Sequence, residues 1–340
     1  MRRKVILVTT LVTFIGLGFL ILPAPDYTYA ANPLPANFDE FLAMKLKQSS
    51  DAGTRPGCDE RLVRFAPGQT ELAILYIHGF GASRAEGEAV IDPIAARLKA
   101  NTYYVRLPGH GTNKEDHANA KFSDYLDTSE EALRMMPQLG KRIIVVGTSM
   151  GALLASHLAA AHPDQVHALI LASPFFEFYR KDANVAGYPG GMVLVEAIGG
   201  GKIRDVRKKP GDPNDSRIDG YQNYWYDVQY FQAVKGLAQL KRAVSKPATF
   251  GRITSPVLML YYYKDEKHQD TAASVPAMLD GFQQLGKFAK PNPLNRSVAV
   301  ERGDHILMSK WVDTDKALIE KETLRFIEDV QNATGSAGAK

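Results

Sequence analysis

The sequence predicts an α/β fold with a mostly parallel sheet and helices on both faces. Two observations carry this expectation. From about residue 61, short β-like runs alternate with helix-length segments, the rhythm of βαβ units. Several of those runs are continuously apolar rather than alternating, as strands buried on both faces are. Length and composition agree with it: 340 residues, 45% hydrophobic and 23% charged. That suffices for a closed core and argues against disorder, collagen-like repeats or a coiled coil.

Residues 1–30 read as an address rather than as part of the fold. Arg2, Arg3 and Lys4 form a short basic region, and Val5 to Leu22 is apolar without a charge. Thr28 and Ala30 are small residues suited to cleavage before Ala31. At 1.5 Å per residue the run would extend about 27 Å as a helix, nearly a bilayer core. A cleaved signal peptide and an uncleaved N-terminal anchor therefore both fit. In either case the remainder is expected to be exported (periplasmic, secreted or held at the cell envelope), with membrane association if the leader stays. Residues 31–60 read as a surface lead-in with one amphipathic patch from Phe38 to Lys47.

The alternation then runs in order. Leu72 to Ile77 is a strand that stops at His78-Gly79, and Ala85 to Ala100 has helical spacing. Tyr103 to Leu107 is a strand, Phe122 to Leu139 a helix, and Arg142 to Val146 a β-branched strand broken at Gly147. Ser149 to Ala161 is an Ala-rich interior helix and Ala168 to Ala172 another strand. Residues 174–254 break the rhythm with aromatics, a triple glycine at 199–201 and a basic cluster from Arg204 to Lys209. Such an insertion is expected to be functional, a cap or lid. The alternation resumes with Pro256 to Tyr263, a helix near Ala272 to Leu285, a strand near Ser297 to Val300 and a helix from about Trp311 to Val330. Residues 332–340 read as a disordered tail.

Gly147-Thr-Ser149-Met-Gly151 lies between a strand and a helix, the setting of a G-x-S-x-G nucleophile elbow. The tight turn excludes side chains two positions either side of Ser149. It presents the hydroxyl and aims the Met150 amide at a developing oxyanion. Serine needs a base, and the base an orienting acid. Of eight histidines, His305 lies in a loop after a short strand and before the final helix. His162 and His167 read as surface residues, His117 and His268 as solvated loop residues, and His157 as packing. Asp265 directly follows the end of the Tyr261–Lys264 strand, where open α/β sheets place active groups. Asp270 would serve instead if the loop curls back, but Asp265 is favoured. In His78-Gly-Phe-Gly-Ala-Ser83 the Phe80 amide is the natural second oxyanion donor. His78 and His110, the latter in Arg106-Leu-Pro-Gly-His-Gly-Thr112, read as structural.

With these motifs in place the chain resembles α/β-hydrolase fold serine hydrolases, carboxylesterases and monoacylglycerol-lipase-like members in particular. The matching stretches are HGFGAS at 78–83, PGHG at 108–111, GTSMG at 147–151, KD at 264–265 and GDH at 303–305. The resemblance implies a core of residues 61–173 and 255–331 with the cap at 174–254. It makes Ser149 the nucleophile, His305 the base and Asp265 its partner, with oxyanion amides at Phe80 and Met150. Two departures stand out. Tyr262 occupies the position three before Asp265 where a glycine is common, and the insertion matches no cap of known specificity.

The expected activity is hydrolysis of carboxylic esters, acyl esters or acylglycerols, through an acyl-serine intermediate, with no cofactor or metal. An exported acyltransferase with the same triad, or a silent binding protein on the scaffold, are the competing readings. The net charge of +4 includes the leader's basic residues, so no field for nucleic acid remains. The partner is a small-molecule or lipid ester. Cys58, the only cysteine, can make no intrachain disulfide and reads as an ordinary loop residue.

Overall fold

The computed structural model describes residues 22–209 and 211–337. The basic region and the apolar run up to residue 21 lie outside the described residues, as does the end of the tail. After an irregular lead-in come α1 (Phe38–Asp51), β1 (Arg61–Val63), β2 (Thr70–Ile77), α2 (Glu88–Leu98) and β3 (Asn101–Tyr104). There follow α3 (Lys114–Asn119), α4 (Phe122–Met135), β4 (Gly140–Thr148), α5 (Met150–Ala161) and β5 (Val166–Ala172). The stretch after β5 holds α6 (Gly191–Ile198), β6 (Ile203–Asp205), β7 (Val228–Tyr230), α7 (Phe231–Val244) and α8 (Pro247–Phe250). The chain ends with β8 (Val257–Asp265), β9 (His268–Gln269), α9 (Val275–Gln283), β10 (Arg296–Val300) and α10 (Lys316–Ala337).

Eight strands form one sheet in the order β1-β3-β2-β4-β5-β8-β10, with β9 paired to β8 alone. Only β1 against β3 and β9 against β8 are antiparallel. The expected mostly parallel architecture is observed. The apolar runs are continuous because both faces are covered. Along β2, Ala73, Leu75 and Ile77 enter one core with α4, α5 and α7. Leu72, Ile74 and Tyr76 enter the other with α2 and α10. Period-two alternation thus divides each strand between two helical layers. Helix α5 is apolar nearly all round and buried nearly all round, as a helix enclosed by protein must be.

Three expectations need correction. The lead-in is not merely surface: Phe38 and Phe41 of α1 are buried and stack edge-on against Tyr103. The spacing of apolar residues in Phe38 to Lys47 was enough to seat a helix on the sheet. The insertion, in which the sequence shows no strong strand, carries the β6–β7 hairpin, too short for a sequence signal. The final helix continues to Ala337, through part of the expected tail.

Candidate active site

The elbow at Ser149 is built by steric exclusion. Ser149 has φ 54° and ψ −115°, a left-handed backbone that a non-glycine residue holds only under constraint. A Cβ on Gly147 would stand 2.3 Å from the Gly151 carbonyl oxygen, and one on Gly151 would stand 2.0 Å from that of Ile77. No side chain fits at either position, so the sharp strand-to-helix turn survives only with glycine there. Met150 opens α5, so its N–H is among the first four with no acceptor inside the helix.

His305 Nε2 lies 2.8 Å from Ser149 Oγ. His305 Nδ1 lies 2.6 Å from an oxygen of Asp270, not of Asp265. This corrects the sequence assignment, and the reason is the path of β8. Pairing with β10 ends at Tyr262, but β8 runs on to Asp265 beyond the sheet. It then turns back through β9, which brings Asp270 alongside Tyr262, where its N–H bonds the Tyr262 carbonyl at 3.1 Å. Asp265 is left half-exposed at the hairpin tip, occupied by the N–H groups of Lys267 and His268 and by the His268 ring. Asp270 is fully buried, and its second oxygen accepts from the Ala272 and Ala273 amides at 2.8 and 2.9 Å. These two amides fix the carboxylate's orientation toward the ring. Tyr262 in place of glycine was the one sequence sign that the loop took a different path.

Burial opposes protonation of His305, but the charge and hydrogen bond of Asp270 outweigh it and raise its pKa above the ordinary 6.5. Asp304, the residue before it, is buried and pushed up to about 6, while its oxygens accept from the His305 and Ser216 amides. It fixes the backbone of this loop rather than the ring.

The Gly-rich loop after β2 packs directly on Ser149. A Cβ on Gly79 would meet the Glu86 carboxylate at 2.9 Å and Ser149 Cβ at 3.1 Å. Glu86, in a 3-10 turn after the loop, was not singled out from sequence, where it sits unremarkably in a helical stretch. It is buried and accepts from the Gly79 N–H at 2.5 Å, and it lies 3.5 Å from the Tyr76 hydroxyl. Tyr76 in turn lies 2.9 Å from Thr148 Oγ1. A buried polar chain thus ties the loop to the elbow. Desolvation pushes the Glu86 pKa up to about 7.

The second loop is braced by histidines. His78 Nδ1 faces the Gly79 carbonyl at 2.8 Å while its Nε2 accepts from the Leu107 N–H at 3.1 Å, so it spans both loops. Burial lowers its pKa to about 4. His117, expected in solvent, is instead fully buried against Phe80 and Tyr226. The insertion covers it, which residues near 117 could not disclose. Tyr226 clamps this arrangement: its N–H bonds the Gly81 carbonyl, and its hydroxyl bonds Gly109 and Thr112. Of the other histidines, His157 and His162 both bond Glu130. Cys58 is buried, which pushes its thiol up and leaves it unreactive in character.

Above Ser149 and His305 lies a cavity of about 600 Å³, walled chiefly by residues of the insertion. Of its aromatics, Phe175, Phe178, Tyr221, Trp225, Tyr226 and Phe231 line the cavity. Phe176 instead packs into the main core on Phe250. Val195 and Ile198 of α6 line the cavity, and Val193, Leu194 and Ile198 of the same helix are exposed. Among the described residues, no group of three or more His, Cys, Asp or Glu is placed to hold a metal ion.

Comparison with known proteins agrees with this geometry. Residues 74–317 match the model of the Alpha/beta hydrolase family. A thermostable monoacylglycerol lipase of Bacillus sp. (strain H-257) is 34% identical over 262 residues, 75% of this chain and 90% of that protein. A pimeloyl-[acyl-carrier protein] methyl ester esterase of Neisseria meningitidis is 36% identical over 121 residues, 35% of this chain. The chain spans about a third of the length of that esterase, 34%. In fold it is similar to a chain from work on two metagenome-derived lipolytic enzymes, LipS and LipT. There the TM-score is 0.61 at 19% identity, covering 81% of this chain and 99% of that one. The Paleococcus ferrophilus monoacylglycerol lipase has a TM-score of 0.56 at 13% identity, covering 80% and 99%. The elbow, the sheet and these matches converge: the chain belongs to the alpha/beta hydrolase family.

Proposed function

We propose that the protein is an exported carboxylic ester hydrolase working through an acyl-Ser149 intermediate. The observation that carries this reading is the hydrogen-bonded chain from Ser149 through His305 to Asp270, on the floor of an apolar cavity. His305 Nε2 takes the hydroxyl proton as Oγ attacks the ester carbonyl carbon. The Met150 and Phe80 amides receive the oxyanion, and a preorganised donor of this kind is worth roughly 2.7–4 kcal/mol. The alcohol leaves with the proton from His305. Water, deprotonated by the same nitrogen, then attacks the acyl carbon and frees the acid and Ser149. Asp270 holds Nδ1–H throughout, so the ring presents Nε2 in the required tautomer.

The insertion acts as a cap in this reading, with apolar walls for an acyl chain and exposed aliphatic residues on α6. The lipase and esterase relatives favour ester over amide substrates. Export rests on residues 1–30, by cleavage or as an anchor. The test is hydrolysis of p-nitrophenyl esters from C2 to C16 by the wild type and Ser149→Ala. Activity that disappears in the variant is expected, with a chain-length optimum that measures the cavity. A folded wild type inactive on the whole series would reject the proposal.

A further inference from the structure

Strand β6 alternates sharply: Ile203 and Asp205 are exposed, whereas Arg204 between them is partly buried and lines the cavity. Its cross-strand partner is Gln229 of β7, which faces the same way. Gln229 is buried against the Gly-rich loop, close enough that a Cβ on Gly81 would stand 2.8 Å from its Nε2. The inward row of this hairpin therefore begins at the oxyanion loop and reaches Arg204 one strand farther, about 5 Å.

Three arginines line the cavity, and two are already neutralised. Arg180 pairs with Asp182 at 2.7 Å, and Arg217 pairs with Asp215 at 2.5 Å and lies over Tyr221. The Arg204 side chain has no ion pair, hydrogen bond or ring contact among the described residues. Burial alone acts on its guanidinium, lowering its pKa. Its charge reaches His117, which is held neutral at about 3 by burial first and by Arg204 second, and whose ring nitrogens are both buried without a partner. A half-buried guanidinium with no counter-charge is well placed to pair with an anion that enters the cavity. Beside Ser149 the cavity lining also includes Glu86, an acid. The cavity therefore carries an acid next to Ser149 and, on the cap hairpin, a cation without a counter-charge.

Resting on the esterase reading, we propose that the substrate is an ester bearing a carboxylate at the end remote from the reacting carbonyl, and that Arg204 binds that carboxylate. Planar, bidentate recognition is what a guanidinium supplies. The apolar walls, Phe175, Phe231 and Leu237 among them, would hold the methylenes between ester and acid.

The test compares matched esters at pH 8 with wild type, Arg204→Gln and Arg204→Lys. One arm uses monomethyl esters of C4 to C10 dicarboxylic acids against methyl esters of monocarboxylic acids of equal length. The other uses butyrate esters of ω-hydroxy acids against those of plain alcohols, so that the acyl and alcohol sides are told apart. In one arm the wild-type preference for the anionic ester in kcat/KM is expected to fall roughly ten- to hundredfold in Arg204→Gln. Hydrolysis of neutral esters stays within about twofold, and Arg204→Lys recovers part of the preference. An equal preference in wild type and Arg204→Gln overturns the proposal. If the wild type hydrolyses no ester, the esterase reading fails, and calorimetric titration of Ser149→Ala with monomethyl adipate decides the anion site separately. Binding that is lost in Ser149→Ala/Arg204→Gln sustains the site; equal binding or none rejects it.

Discussion

The floor and the roof of the cavity are held together by different physics. The floor is specified by backbone: two glycines that admit no Cβ, a serine forced to positive φ, and loops tied by buried carboxylate and imidazole groups. The roof is specified by side chains on a segment of short helices and one small hairpin, through ion pairs, stacked rings and the Tyr226 clamp. The Tyr221 and Trp225 rings, for example, stack at 4.1 Å with an angle of 10°. Backbone constraints tolerate few residue types, whereas side-chain packing accepts many. A floor of this kind conserves chemistry, and a roof of this kind adjusts what is admitted.

The largest expected effect tests the floor. His305→Gln should lower kcat by about 10⁴–10⁶-fold, as loss of a triad base does, while substrate binding in the roof stays intact. Loss confined to KM would place His305 outside the chemistry. In the wild type the rate should fall with decreasing pH as His305 protonates, with a midpoint above 6.5 because Asp270 raises its pKa. A flat profile from pH 5 to 8 would contradict that assignment.

Matched glycine substitutions sharpen the contrast next. Gly151→Ala places a Cβ 2.0 Å from a backbone oxygen that cannot move without the sheet. A loss of at least about 1–3 kcal/mol in stability is expected, with activity abolished. Gly200→Ala in the roof meets nothing within 4 Å and is penalised by its φ of 73° alone, about 1–2 kcal/mol. Activity assays alongside denaturant melts measure the difference: turnover is lost in Gly151→Ala and retained in Gly200→Ala, and equal loss of turnover would erase the distinction.

The smallest effects are in the pH dependence of stability. The folded pKa of Glu86 is raised to about 7 from 4.5. Its contribution is therefore complete below pH 4.5 and lost as pH rises through 7. His78 and His117 run the other way. Their folded values are depressed to about 4 and about 3, so their contribution is present above 6.5 and lost as pH falls toward those values. Glu86→Gln should remove the loss between pH 4.5 and 7 while leaving the acid limb in place. Thermal melts from pH 4 to 8 read this directly, and an unchanged profile would show that Glu86 does not titrate in this range.

Legibility in the sequence follows the same division. Ser149 and His305, which lie 2.8 Å apart, are legible because glycines and strand ends leave marks in the sequence; the Phe80 and Met150 amides belong to the proposed reading. The parallel sheet was found because strands covered on both faces become continuous apolar runs. Asp265 is favoured over Asp270 by the sequence because it directly follows the end of the Tyr261–Lys264 run. Only a hairpin tip past the sheet edge reverses that choice, and two-residue β9 leaves no periodicity to announce it. The burial of His117 and the placement of Glu86 depend on loops folding against residues distant in sequence, and no local pattern encodes either.

The most direct measurement of the central claim sets the two carboxylates against each other. Turnover of one p-nitrophenyl ester is compared for wild type, Asp270→Asn and Asp265→Asn, each shown to be folded by circular dichroism. The geometry predicts a fall of about 10³–10⁴-fold for Asp270→Asn, through loss of the correct His305 tautomer. Asp265→Asn should stay within about twofold, since its half-exposed carboxylate pairs only locally, with surface-type energetics. The reverse pattern, or full activity in both variants, would contradict the Ser149–His305–Asp270 account.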